Sequence, residues 1–250
     1  MKVLILAAGY ATRLYPLTLN KPKSLLKVGS KTITDRIIEK IEPVRNVGGI
    51  YIVTNDKFST HFEKWVKKSS YKAPIKIIND RTFTNETRLG AVGDIELVVS
   101  EEGIDDDLLV LGGDNLFEFD LSEFIRFARR KGGFAVALRD VGDKKEAKKY
   151  GIVTLDGNDK VEEFVEKPKD PKSTLAAMCV YYFPKGRLDL LKVYLDAGMN
   201  KDQPGHYISW LVSKGLVYGY KIMGEWFDIG DKKLLKLAHE VYTKKEEGDD

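Results

Sequence analysis

What most limits the fold of this chain is the alternation in its first 113 residues. KVLILAA (2–8), GGIYIVTN (48–55), IKIIN (75–79) and DLLVLGGDN (107–115) are short apolar runs, each closing on Gly, Asn or another small residue. Between them, ITDRIIEKIEPV places Ile33, Ile37, Ile38 and Ile41 on one helical face, FSTHFEKWVKK spaces Phe58, Phe62, Trp65 and Val66 likewise, and LGAVGDIELVVSEEG can form a further helix. Strands apolar throughout are buried on both faces, so strand, helix, strand in repetition predicts an α/β fold with a mostly parallel sheet layered between helices.

The second half is less regular. LSEFIRFARRKGG reads as a helix, but FAVALRD, YGIVTLD, KVEEFVEKP and TLAAMCVYYF follow one another closely, which predicts sheet strands and a hairpin in a smaller second lobe. GRLDLLKVYLDAG, HYISWLVSKG and KKLLKLAHEVYTKK read as helices, with strands in LVYGYKIMGEWFDIG between them, and KKEEGDD is expected to be a frayed tail. With 250 residues, 43% of them hydrophobic, and no linker rich in Pro, Gly or Ser, a single unit is expected over 1–250. Its parts are about 1–113, about 114–230, and a C-terminal helix and tail at 231–250.

Charge and cysteine content narrow the function. Lys and Arg at 41 against Asp and Glu at 38 leave a net charge of +3, which is not the field of a nucleic-acid binder. The single Cys179 allows no intrachain disulfide, KVLILAAG is too short for a signal segment, and no apolar run approaches a membrane span. A cytoplasmic protein with neither nucleic acid nor membrane as partner is expected.

In an open α/β sheet, ligands bind beyond the carboxyl ends of the strands. Gly9, Ala11 and Thr12 follow the first strand where the backbone can bend round a phosphate, with Arg13 as a planar donor fork and Lys23 as a point charge. GYATRL lacks the later glycines of a dinucleotide fingerprint, so the bland alternative is a basic surface loop. Asp114 in LGGDN and Asp228 in FDIGD end apolar strands beside glycine, a setting in which carboxylates commonly hold a hard cation such as Mg²⁺ while substrate phosphates complete its shell, and about as often cap a helix or form a turn. Asp94 and Asp231 read better as helix caps or turn formers. Lys167, between Glu166 and Pro168, suits either a second phosphate or a solvated charged face. His61 and His239 are expected at the surface, and no G-x-S-x-G or GK[ST] occurs. Phosphoryl transfer needs charge neutralisation and positioning rather than a covalent nucleophile, and it fits that inventory.

Together LAAGYATRLYPLTLNKPKSLL, LGAVGD, LGGDN, KYGIV, VEKP and FDIGD, in that order, resemble the sugar-phosphate nucleotidyltransferase family over nearly the whole chain. The resemblance implies a Rossmann-like three-layer α/β/α nucleotidyltransferase fold, and a Mg²⁺-dependent reaction of an NTP with a phosphorylated small-molecule acceptor, first of all a sugar 1-phosphate. It implies Arg13 and Lys23 on the triphosphate, Asp114 and Asp228 on Mg²⁺, and Lys167 on the acceptor phosphate, with Gly151 and Glu166 facing the sugar. Asn85 and Gly90 would lie near the base, with backbone contacts to the nucleotide from Ala7 and Gly9.

Ala11 stands where the family usually has a second glycine. TNETRLGAVGDI lacks the glutamine of thymidylyl enzymes and has some likeness to asparagine-containing loops of cytidylyltransferases acting on choline phosphate, which leaves the base open. The GHYISW region lacks the acids expected for a hexose, so phosphocholine or inositol phosphate stays an alternative acceptor. A catalytically silent nucleotide- or sugar-binding module is a second class. A glycosyltransferase is a third, set against by the missing first Asp of an Asp-x-Asp in LGGDN. No hexapeptide repeat follows Asp228, and a homo-oligomer is compatible with the sequence.

Overall fold

A computed structural model describes residues 1–248. In chain order its elements are β1 (Lys2–Leu6), β2 (Lys27–Val28), β3 (Lys31–Thr32), α1 (Ile33–Ile41), β4 (Ile50–Thr54), α2 (Asp56–Val66), β5 (Ile75–Asn79), α3 (Ala91–Glu101) and β6 (Leu108–Gly112). There follow β7 (Asn115–Phe117), α4 (Leu121–Lys131), β8 (Phe134–Asp140), α5 (Lys144–Ala147), β9 (Gly151–Leu155), β10 (Val161–Glu166) and β11 (Leu175–Phe183). The chain ends with α6 (Asp189–Asp196), α7 (Pro204–Ser213), β12 (Val217–Lys221), β13 (Trp226–Asp228) and α8 (Lys232–Gly248).

Strands β6, β1, β4 and β5 lie side by side and parallel, as the alternation predicts. The sheet has nine strands in all, because β11 pairs antiparallel with β6 and carries β8 and β9 with it. Most of the strands of the second half therefore extend the central sheet, and the smaller lobe expected there shares that sheet with the first half. The nine residues of β11 are long enough to serve more than one neighbour, and its pairing with β8 shifts register between Ala177 and Tyr181. Strand β10 and its hairpin partner β9 project at one edge.

Period-two alternation divides the core into two layers. Val3 and Ile5 of β1 face the layer packed by α1, α4 and α8, whereas Leu4 faces the layer packed by α3, α6 and α7. Helix α1 starts on a capping box: Thr32 Oγ1 accepts from Asp35 N at 3.1 Å and Asp35 Oδ2 accepts from Thr32 N at 2.8 Å. Helix α8 returns to the first half of the chain and seats Tyr242 under the Arg36 guanidinium, 4.1 Å from the ring centroid.

The end of α8 departs from the expected frayed tail. Lys245 and Glu246 are held: Ser30 N and Ser30 Oγ donate to Glu246 at 2.9 and 2.8 Å, and the buried Arg36 pairs with the same carboxylate. The expectation of a frayed tail rests on local sequence, which has no access to Arg36, 210 residues earlier. Asp249 and Asp250 of that stretch lie outside the described residues. No helix among the described residues is long and apolar enough to cross a membrane.

Candidate active site

The carboxyl ends of β1 and β6 lie next to each other, and Gly113 N donates to Leu6 O at 2.9 Å. A Cβ at Gly113 would stand 2.6 Å from Leu6 O and 2.8 Å from Ser24 Oγ, so glycine is what lets β6 turn tightly enough to present Asp114. Asp114 and Asp228 are brought together by a two-stranded ribbon apart from the main sheet. In it, β7 and β13 pair antiparallel with Asn115 opposite Asp228. Ile229 N donates to Asp114 O at 3.0 Å, and Trp226 Nε1 locks the ribbon by donating to Asn115 Oδ1 at 2.8 Å.

Lys23 Nζ lies 2.5 Å from Asp114 Oδ2. Burial by itself would raise the Asp114 carboxyl, but the Lys23 charge and hydrogen bond hold it below the ordinary range. Asp228 goes the other way: burial and the nearby Asp114 charge push it up to about 6, against lowering by Lys23, Arg13 and Lys167. The three cations picked out from two separate stretches of sequence thus all bear on one carboxylate. Arg13 reaches this point over Gly230, where an added Cβ would be 3.5 Å from its guanidinium.

Two carboxylates that resist joint ionisation suit a divalent cation, whose charge would relieve their repulsion. Among the described residues no group of three or more His, Cys, Asp and Glu side chains could hold a metal. Asp114 and Asp228, which line one cavity, are the residues that could hold Mg²⁺, with phosphate oxygens and water as the other ligands.

Two cavities meet at Asp114. The first, of about 250 Å³, is walled by Ala7, Ala8, Gly9 and Gly90, with Lys23, Arg88, Asp94, Asp114 and Asp202 as its charged residues. The second, of about 260 Å³, holds Arg13, Gly151, Glu166, Lys167 and Asp228 together with Asp114. Ala7, Gly9, Lys23 and Gly90 thus share one cavity and Gly151, Glu166 and Lys167 the other, while Ala11, Thr12 and Asn85 line neither. Ala11 adopts the left-handed φ of +50° and starts a tight turn that carries the exposed Thr12 away from the cavity. The Asn85 carbonyl is occupied by Arg88, whose guanidinium also grips Asp202 at 2.8 and 3.1 Å. Lys167 too has a left-handed φ, +46°, and its N–H is fixed to Tyr150 O at 3.0 Å. Strained non-glycine backbone of this kind persists where the surroundings over-determine it.

Three features escape a reading by motif. Pro204 and Gly205, at the start of α7, complete the second cavity, and a Cβ at Gly205 would run into Glu166 Oε2 and the Phe164 ring. The backbone carbonyls of Lys201 and Asp202 take the Val92 and Ala91 N–H groups at 3.0 and 3.1 Å, closing the end of α3 that would otherwise meet an anion. Asp94 is a correction: it caps nothing, lies in the first turn of α3, lines the first cavity, and is pushed up to about 8 by burial and then by Asp80. Asp231 does cap its helix, accepting from Leu234 N at 2.9 Å. His239 lies exposed and accepts from Gly29 N at 3.1 Å, whereas His61 is only half exposed, with Nδ1 buried and unpaired among the described residues.

A Rossmann-like α/β/α sandwich with paired carboxylates and converging cations at the carboxyl ends of its strands defines a class of nucleotide-handling proteins. The nucleotidyl transferase family profile matches residues 2–245, and the chain belongs to that family. It is 32% identical over 230 residues to the bifunctional protein GlmU of Methanocaldococcus jannaschii, an alignment covering 92% of this chain and 51% of that one. It is 30% identical over 249 residues to a Sulfolobus acidocaldarius protein named as a mannose-1-phosphate guanyltransferase, covering 98% of this chain and 64% of that one. The chain thus spans less than two thirds of either relative. A solved structure of UDP-glucose pyrophosphorylase with UDP-glucose superposes with a TM-score of 0.83 over 98% of both chains at 21% identity, a likeness of fold.

Proposed function

We propose that this protein joins an NTP to a sugar 1-phosphate, giving an NDP-sugar and pyrophosphate with Mg²⁺ as cofactor. The observation that carries this reading is Asp114, which stands on the wall common to both cavities. A transfer between two bound substrates needs their reacting atoms to meet, and only the shared wall allows that.

The first cavity suits the NTP. Its small-residue walls at Ala7, Ala8 and Gly90 fit a flat ring, and Lys23 in the same cavity can neutralise phosphate charge. The second suits the acceptor: Glu166 can accept from sugar hydroxyls, and Lys167 can hold the phosphate while Gly151 and Gly205 leave the ring room. The acceptor phosphate oxygen is already ionised near pH 7, so it attacks the α-phosphorus with no general base, and the bond to the β-phosphate oxygen breaks as pyrophosphate leaves. Mg²⁺, when bound, supplies charge neutralisation on the phosphates. Arg13 and Lys23 oppose the charge that builds on the leaving pyrophosphate, and one well-placed donor of this kind contributes up to ~3 kcal/mol.

The test is pyrophosphate release over a grid of NTPs against hexose 1-phosphates, phosphocholine and inositol phosphate, with and without Mg²⁺. Release with a hexose 1-phosphate and Mg²⁺ is expected. Release only with phosphocholine or inositol phosphate would move the acceptor outside the sugars, and nucleotide binding without turnover on any acceptor would leave a silent binding module.

A further inference from the structure

Asp94 is 6% exposed, and its Oδ1 has no hydrogen-bond partner among the described residues. An unpaired carboxyl group in such a place costs free energy and calls for an explanation. Packing does not give one. Val92, Ile95 and Val98 already form the core face of α3, and an apolar side chain at position 94 would remove the cost.

The position of the group does. Side chains in a helix lean toward its N-terminus, and from the first turn of α3 that direction leads toward Gly90. Asp94 lines the first cavity together with Ala7, Gly9, Gly90, the Arg88–Asp202 pair, Lys23 and Asp114. If the triphosphate lies toward Lys23 and Asp114, the base is left the part lined by Ala8, Gly90 and Ala91, and Asp94, three residues on in the first turn of α3, brings a carboxyl group to it.

We propose that Asp94 reads the nucleobase of the NTP and selects guanine. This rests on the nucleotide reading of the first cavity. Guanine alone among the common bases presents two adjacent donors on one edge, N1–H and the N2 amino group, and a carboxylate presents two acceptors to match. Adenine, cytosine, uracil and thymine each set an acceptor beside a donor on that edge, and a carboxylate then meets a lone pair. The charged groups bearing on Asp94 are Asp80, which disfavours its ionised form, and Lys201, which favours it. Two donors from guanine would add to the second effect.

The experiment compares wild type, Asp94→Asn and Asp94→Ala by calorimetric binding of GTP, XTP, ATP, CTP and UTP, and by pyrophosphate release with a panel of sugar 1-phosphates. XTP is the discriminating probe, since it replaces the N2 amino group by a carbonyl acceptor that the amide of Asn can donate to. Wild type is expected to favour GTP over each other nucleotide by about tenfold or more, the range of one bidentate base contact. Asp94→Asn should weaken GTP about tenfold and strengthen XTP, and Asp94→Ala should lose GTP without gaining XTP. Thermal melts show that the variants are folded. Wild-type preference for another base, or an unchanged GTP-to-XTP ratio in Asp94→Asn, overturns the proposal. Binding that follows this exchange without any turnover would support the role of Asp94 and defeat the transferase reading. Absence of binding for every nucleotide would defeat both.

Discussion

Lys23 Nζ lies 2.5 Å from Asp114 Oδ2, across 91 residues of sequence. The pair joins the turn after β1 to the end of β6, and Asp228 is added to it by the β7–β13 ribbon. Asp228 belongs to the same charge cluster: the Asp114 charge raises its carboxyl, and Lys23, Arg13 and Lys167 lower it.

Asp114→Asn keeps the size of the side chain and its contact with Asn115 while removing the charge that faces Lys23 and Asp228. Pyrophosphate release should fall by about two to three orders of magnitude, with little change in melting temperature. Activity within a few fold of wild type in a release assay would take Asp114 out of the reaction, and chelation of divalent ions should abolish wild-type turnover in the same assay.

Gly205→Ala tests the acceptor side. The new methyl group would collide with Glu166 Oε2 and the Phe164 ring, so Glu166 must shift. The apparent KM for the sugar phosphate should rise about tenfold or more, while that for the NTP changes little, with a stability loss of about 1–3 kcal/mol. Steady-state kinetics varying each substrate in turn would show the split, and equal changes in both constants would count against this placement of the acceptor.

Asp94 gives a pH dependence of stability. Its folded value of about 8 lies above the ordinary carboxylate range. Between about pH 4 and pH 8 the native state keeps a proton that the unfolded chain has released, so this group lowers stability as pH rises, by at most about 1.4 kcal/mol per unit. Asp94→Asn cannot ionise. Its melting temperature relative to wild type should therefore rise from pH 5 to pH 8, which scanning calorimetry of both proteins would read; parallel profiles would mean that Asp94 is not held neutral.

Glu246→Ala should loosen α8 without touching the site. The Arg36 guanidinium, buried against Tyr242, would lose its carboxylate partner, and Ser30 would lose an acceptor for both N and Oγ. A stability loss of about 1–2 kcal/mol, seen as a lower midpoint in urea, is expected with kcat unchanged. An unchanged midpoint would return the C-terminal stretch to the status of a loose tail.

What the sequence determined by itself was everything that depends on near neighbours. The apolar strands, the helical faces of Ile33 to Ile41 and Phe58 to Phe62, and the order of LGGDN and FDIGD along the chain follow from periodicity and turn chemistry, which act within a few residues. The tertiary structure alone decided which of these meet. Asp114 and Asp228 line one cavity because β7 and β13 pair, Glu246 is anchored because α8 crosses back to Arg36, and strands 134–183 join the main sheet because β11 is long enough to bridge β6 and β8. Asp94 shows the limit most plainly: at the start of a helix its sequence context is that of a cap, and only strands and loops distant in the chain bury it beside a cavity.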